Sequence, residues 1–280
     1  MDVRLFVVDP QNDFCSPKGS LYVNGADQDM SRLSQMIQRL DRKLTDIVVT
    51  LDSHHKVDIS HGIWWKQVSD GSQPAPFTIL GLDSEGRIRA CDPANGMAPS
   101  GAEYTTRIPS FLPRSKAYLK ALADGGKFPH CIWPDHCLIG SEGHNVYPEL
   151  WQAMLQWEEK NFGAVVYVTK GSNMWTEHFS GVKAEVPDPE DPTTHINSGL
   201  IMSLEEADMI VFAGEAKSHC VRHTVMDICD AFSDPAYLRK VTFLEDASSN
   251  VTGFDSFGDD FLSDMVTKGM NVETTDSFLA

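Results

Sequence analysis

The sequence predicts an α/β fold with a mainly parallel central sheet and helices on both faces. Three observations carry that prediction. Short, continuous apolar runs rich in β-branched residues recur along the chain, as buried parallel strands require. Stretches with apolar residues at helical spacing separate them, and that alternation is the mark of crossover units. Finally, 41% of the 280 residues are hydrophobic, enough to bury a large core.

The elements follow in order. "VRLFVVD" (3–9) is the first strand, and "MSRLSQMIQRLDRKL" (30–44) a helix carrying Leu33, Met36, Ile37, Leu40 and Leu44 on one face. "DIVVTLD" (46–52) is the second strand. "ELWQAMLQWEEKNF" (149–162) is a helix, followed by the strand "AVVYVTK" (164–170). A strand at 209–213 leads into the helical "HCVRHTVMDICDAF" (219–232); "KVTFLEDA" (240–247), the helix 257–270 and "NVETTD" (271–276) complete the pattern. Between residues 62 and 132 the alternation dissolves into turn-rich sequence with one helix, "RSKAYLKALADG" (114–125). This stretch reads as an insertion or cap on a single domain.

Composition excludes several functions. Net charge is −17, which disfavours nucleic acid and anionic membrane surfaces as partners. No run approaches the roughly 20 apolar residues of a membrane span. The six cysteines (15, 91, 131, 137, 220, 229) form no C-x-x-C pair, so neither a disulfide scaffold nor a structural zinc finger is expected. The reading is a cytoplasmic protein with reduced thiols.

In parallel α/β sheets, ligands bind where the strands end. Four strand ends here deliver reactive groups: Asp9; Asp52 with His54; Lys170; and, past a turn, Cys220. A cysteine near a helix start is expected to gain thiolate character from the backbone N–H groups and the dipole. A lysine and a carboxylate beside it would complete an activated nucleophile, with turn N–H groups available to an oxyanion. Asp52 and His54, two apart at a strand end, point to one side and could share an ion, with His136 as a third ligand. His55, Asp58 and His61 are neighbours that spacing does not separate. "WPDHCLIGSEG" (133–143) puts His136 beside Cys137, a pair that reads either as catalytic or as part of a metal site.

"VDPQNDF" (8–14), "DSH" (52–54), "WPDHCLIGSEG" (133–143), "TKG" (169–171) and "GEAKSHCVRHT" (214–224) together resemble the motif series of the nicotinamidase and isochorismatase-like cysteine hydrolases, in the same order. The resemblance implies an isochorismatase-like three-layer α/β/α fold and a catalytic triad of Asp9, Lys170 and Cys220. It implies an oxyanion hole from the N–H groups of Ala216 and Cys220, and a cis bond between Glu215 and Ala216. It implies that Asp52, His54 and His136 hold a divalent metal, zinc first and manganese or iron as alternatives. Phe14 and Trp133 match the aromatic positions that sandwich a substrate ring, and Cys137 becomes a packed neighbour. The implied activity is hydrolysis of a small amide, nicotinamide before others, by a homo-oligomer. Asp58 or His61 would supply a further ligand, and Trp64, Trp65 and Phe77 of the insertion could reshape the pocket. The alternatives are a related cysteine hydrolase with another amide or carbamoyl substrate, and a non-catalytic metal-binding protein.

Overall fold

The computed structural model describes residues 1–280, the side chain of Pro93 excepted. Its elements are β1 (Val3–Val8), α1 (Asn12–Cys15), α2 (Ala26–Leu40), β2 (Asp46–Asp52), β3 (Trp65–Gln67), β4 (Ile79–Leu82), β5 (Ile88–Ala90), β6 (Glu103–Thr106), α3 (Leu112–Asp124), β7 (His130–Cys131), α4 (Pro148–Asn161), β8 (Val166–Lys170), α5 (Ser198–Glu205), β9 (Met209–Gly214), α6 (Arg222–Asp230), β10 (Val241–Leu244), α7 (Asp255–Lys268) and β11 (Asn271–Glu273).

The main sheet runs in the order β11-β10-β9-β1-β2-β8, and its neighbours pair in parallel throughout. β1 is central and almost wholly buried, which its uninterrupted Val-Arg-Leu-Phe-Val-Val run demands. The chain grows outward from β1 in both directions, so a switch point lies between β1 and β9. There the connections diverge and leave a crevice at the strand ends. β9 ends in Gly214 at φ 110°, where a Cβ would collide with the Val8 backbone; only glycine lets β9 and β1 close up beneath the site.

The expected helices are present, shifted by a few residues. The 30–44 pattern corresponds to α2 at Ala26–Leu40, and 219–232 divides into a wide turn of π-helix (Lys217–Val221) followed by α6. The 62–132 stretch is more ordered than its sequence implied. It forms a second, antiparallel sheet in the order β3-β6-β5-β4-β7, with α3 packed against it. A separate core of Trp64, Trp65, Leu80, Ile88, Tyr118 and Leu122 holds it together. Strands of two to four residues are too short to show a period, which is why the pattern failed there.

Candidate active site

β9, β1, β2 and β8 are adjacent, and the residues picked from their ends converge. Lys170, the last residue of β8, sits 2.9 Å from Asp9 Oδ2 and 2.9 Å from Asp52 Oδ1, with all three side chains buried. Its Nζ donates to Asp52 Oδ1, to the His178 carbonyl at 2.8 Å and to Cys220 Sγ at 3.6 Å. Asp9 Oδ2 lies as close to the ammonium as Asp52 Oδ1 does, so the two carboxylates share it with the His178 carbonyl and Cys220 Sγ. The Cys220 thiol in turn has Asp9 as its hydrogen-bond acceptor.

Asp9 is held from its other side. Thr50 Oγ1, on β2, donates to Asp9 Oδ1 at 2.6 Å and accepts from the Asp9 N–H at 3.0 Å. Asp9 itself adopts a left-handed φ of 44°, a conformation that aspartate tolerates better than most residues. Burial pushes its carboxyl up, and repulsion from Asp52 adds to this against the pull of Lys170. Lys170 is held well above its ordinary value because the two carboxylates outweigh its burial.

Cys220 departs from expectation in one respect. It lies in the π-helical turn, and burial pushes its thiol well up, with Lys170 opposing and Asp9 and Asp52 adding to the rise. Burial thus favours the protonated thiol, with Asp9, whose carboxyl burial also pushes up, as the acceptor beside it. The Glu215–Ala216 bond is cis, and the Ala216 N–H has no partner among the described residues. His219 bonds Ser218 rather than Cys220; burial lowers it to about 3, so it is a neutral wall residue.

Asp52, His54 and His136 offer ligand atoms that all lie within 4.8 Å of one another. Asp52 Oδ2 stands 3.1 Å from His54 Nε2 and 3.2 Å from His136 Nε2. The far side of each ring is anchored. His54 Nδ1 faces Asp58 Oδ2 at 3.2 Å, and His136 Nδ1 donates to the Pro134 carbonyl at 2.8 Å. Both Nε2 atoms are thereby turned toward Asp52, as shared coordination requires. Burial opposes the charge of His54 and Asp52 alike, but their mutual attraction wins: the imidazole is held well up and the carboxylate well down.

The two candidates for an extra ligand separate. Asp58 is engaged in orienting His54 and in binding Ser60. His61 sends Nδ1 to the Lys56 carbonyl and leaves a fully buried Nε2 without a partner, its ring 5.2 Å from His54 and 5.6 Å from His136. His55 is exposed. Two imidazoles and a carboxylate, backed by an orphaned third imidazole, are a donor set that fits a divalent ion.

Between the Asp9, Lys170 and Cys220 cluster and the Asp52, His54 and His136 group lies a narrow cavity of about 30 Å³, walled by Phe14, Leu21, Trp133, Phe179, His219 and Val251 and floored by Asp52, Cys220 and Ala216. It has room for a water or two, so a ring enters only as the walls part. Trp64 and Trp65 belong to the second core and do not reach it. Phe77 touches it indirectly, packing edge-on against Trp133 with centroids 5.8 Å apart.

Four contributors escaped the sequence reading. Gln11 clasps the Asp52 backbone through two 2.7 Å bonds, and Thr50 steadies Asp9. His178 lends its carbonyl to Lys170, and Glu177 lines the cavity with a buried, unpartnered Oε2 that burial pushes up. Asp13 is a clasp: its Oδ2 accepts the Cys137 N–H at 2.6 Å and its Oδ1 the Ser20 N–H at 3.0 Å. Gly143 leaves room for that carboxylate, which any Cβ would strike. Cys137 is fully buried at φ 47°, and burial pushes its thiol well up.

Neither a family model nor a curated protein matches the sequence. Solved structures do. The yeast nicotinamidase Pnc1p bound to the inhibitor nicotinaldehyde superimposes at a TM-score of 0.63 with 18% identity, over 97% of this chain and 99% of that one. The pyrazinamidase of Pyrococcus horikoshii in complex with zinc gives 0.53 at 17% identity, over 98% and 99%. An isochorismatase-like hydrolase from Alkaliphilus metalliredigens gives 0.52 at 17%, over 100% and 98%. The chain therefore has the α/β fold that nicotinamidases and isochorismatase-like hydrolases share.

Proposed function

We propose that the protein is a cysteine amidase that hydrolyses nicotinamide to nicotinate and ammonia, with a divalent metal, zinc first, held by Asp52, His54 and His136. One observation carries this reading: a thiol with a proton acceptor beside it, a metal-competent group and two aromatic walls meet on one cavity. The solved structure of yeast nicotinamidase with nicotinaldehyde and the zinc complex of a pyrazinamidase, both of this fold, support it.

Cys220 passes its proton to Asp9 as Sγ attacks the amide carbonyl. The oxyanion that forms is met by the N–H groups of Ala216 and Cys220. Asp9 then protonates the departing nitrogen, and ammonia leaves a thioester. A water, deprotonated by Asp9, attacks the thioester; the acid departs and Sγ recovers its proton. Lys170 keeps Asp9 placed throughout and balances the negative charge shared with Asp52. Phe14 and Trp133 hold the ring flat between them. A bound ion would supply a Lewis-acid anchor for the ring nitrogen.

Ammonia release from nicotinamide by the purified protein, with Cys220→Ala as control and metal content assayed in parallel, tests the reading. Release that needs both Cys220 and metal supports it. A folded, metal-loaded protein that releases none would discard nicotinamide in favour of another amide.

A further inference from the structure

The turn that carries Ala216 and Cys220 opens on an acid with no water around it. Glu215 follows β9 directly, is fully buried, and donates its N–H to the Val8 carbonyl at 2.8 Å. Ser249, in the loop after β10, holds both neighbours of Ala216. Its N–H donates to Glu215 Oε2 at 3.0 Å, and its carbonyl accepts the Lys217 N–H at 2.8 Å. Two residues on, the Val251 N–H donates to Ser218 Oγ at 3.1 Å, and Val251 is itself a wall of the cavity.

A second buried carboxyl, Asp29 of α2, meets Glu215. Asp29 Oδ2 accepts from Ser249 Oγ at 2.5 Å and its Oδ1 from the Arg32 guanidinium. One serine thus draws the two carboxyls together, and a hydrogen bond between them needs a proton. Asp29 already has two donors and a cation, whereas Glu215 Oε1 is buried with no N–H or hydroxyl to meet it. The proton therefore belongs to Glu215, which donates it to Asp29. Burial first, and then the charge of Asp29, push the Glu215 carboxyl well up, against the pull of Lys217. The other groups nearby leave this balance alone. Cys15 of α1 is a thiol that burial pushes well up, the Asp246 carboxylate is taken by Thr275, and Asp9, one residue past Val8, is turned to Thr50 and Lys170.

Resting on the amidase reading above, we propose that Glu215 is the positioning residue of the oxyanion turn: clamped between Ser249 and Asp29, its carboxyl fixes where the Ala216 N–H points. It touches no substrate. The clamp holds only in the acid form, because an ionised Glu215 would face Asp29 as a second buried carboxylate and lose the bond between them. A donor displaced by about 1 Å is enough to cost ~100-fold in rate.

Ammonia release from nicotinamide and denaturant unfolding, each followed across pH, test the clamp. Glu215→Leu keeps the space filled and loses both bonds. It should lower kcat about 10–100-fold with KM within about threefold, since the N–H acts on the oxyanion rather than on the bound amide. Glu215→Gln, whose amide donates to Asp29 and accepts from Ser249 at any pH, should restore kcat to within about threefold. If Glu215→Leu does not fold, Asp29→Ala replaces it; the turn keeps its own sequence, and kcat should fall at least about 10-fold. Unfolding needs no substrate. The folded carboxyl lies above its ordinary value of 4.5, so the acid form stabilises fully below that pH and less as pH rises. Relative to Glu215→Gln, the unfolding constant of the wild type should climb about tenfold per pH unit above about pH 5, until folded Glu215 ionises. An unchanged kcat in folded Glu215→Leu would overturn the proposal. So would a Glu215→Gln as impaired as Glu215→Leu, or wild-type and Glu215→Gln stabilities that run parallel across pH. A wild type that releases no ammonia refutes the amide reading instead, and the two unfolding curves still decide whether the acid pair holds the turn.

Discussion

Replacing Thr50 with valine changes one oxygen and keeps the shape of the side chain. That oxygen donates to Asp9 Oδ1 at 2.6 Å and accepts from the Asp9 N–H at 3.0 Å, both in the buried interior. Valine does neither. The bond to the carboxylate is worth about 1.5–3 kcal/mol, and the orphaned N–H costs a further 1–3 kcal/mol or so. The first loss falls on the charged form of Asp9 alone. At 1.36 kcal/mol per pKa unit it raises the Asp9 carboxyl by about one to two units above a value that burial already lifts. Asp9 must be ionised to accept the thiol proton, so activity is lost as pH falls through its pKa. The acid limb of kcat/KM should therefore move up by about one to two units in Thr50→Val, and Thr50→Ser, which keeps the hydroxyl, should restore it. The assay is ammonia release between pH 4 and about 9, with denaturant unfolding in parallel. Coincident acid limbs in wild type and Thr50→Val would refute the assignment of Asp9 as the base.

Three further outcomes are expected. Cys137→Ala should keep activity within about threefold while Cys220→Ala abolishes it, because Cys137 acts through its backbone; near-complete loss in Cys137→Ala would reverse the assignment. Asp58→Asn should weaken zinc binding by about 10–100-fold, the usual cost of disturbing a group behind a ligand; direct titration with the ion reads this, and loss as complete as in His54→Ala would make Asp58 a ligand. Stability should fall on acidification, because burial lowers His130 to about 4 while the unfolded residue titrates near 6.5. Its contribution is full above pH 6.5 or so and declines toward pH 4, since the unfolded chain then binds the extra proton; at pH 5 the loss is about 2 kcal/mol. Denaturant midpoints at the two pH values measure it, and an unchanged difference in His130→Gln would remove His130 as the cause.

The main sheet was legible because its strands are continuous apolar runs, and each chemical residue sits at the end of one or within a turn of it. Asp9, Asp52, Lys170 and Cys220 could be picked from the chain for that reason, and the structure brings them together because β9, β1, β2 and β8 are neighbours. Thr50, Gln11 and His178 were hidden. Their partners lie across the sheet or in another loop, and only strand register reveals that Thr50 faces Asp9. For Cys220, position near a helix start is visible in sequence, whereas burial beside two carboxylates, which favours the thiol, is not. Choosing between Asp58 and His61 needed the hydrogen bond that occupies one and leaves the other's Nε2 free.

The Asp13 clasp has a thermodynamic consequence. Phe14 follows Asp13 directly, and Cys137, whose N–H Asp13 holds, follows His136; the two rings lie 5.5 Å apart. Phe14, on the cavity wall, and His136, of the group proposed to hold a metal, are thus fastened to the same carboxylate, whose space Gly143 provides. Whatever steadies one turn steadies the other. Linkage then makes the effect reciprocal: an ion that raises the affinity for a ring between Phe14 and Trp133 must be held more tightly, by the same factor, once the ring is in place.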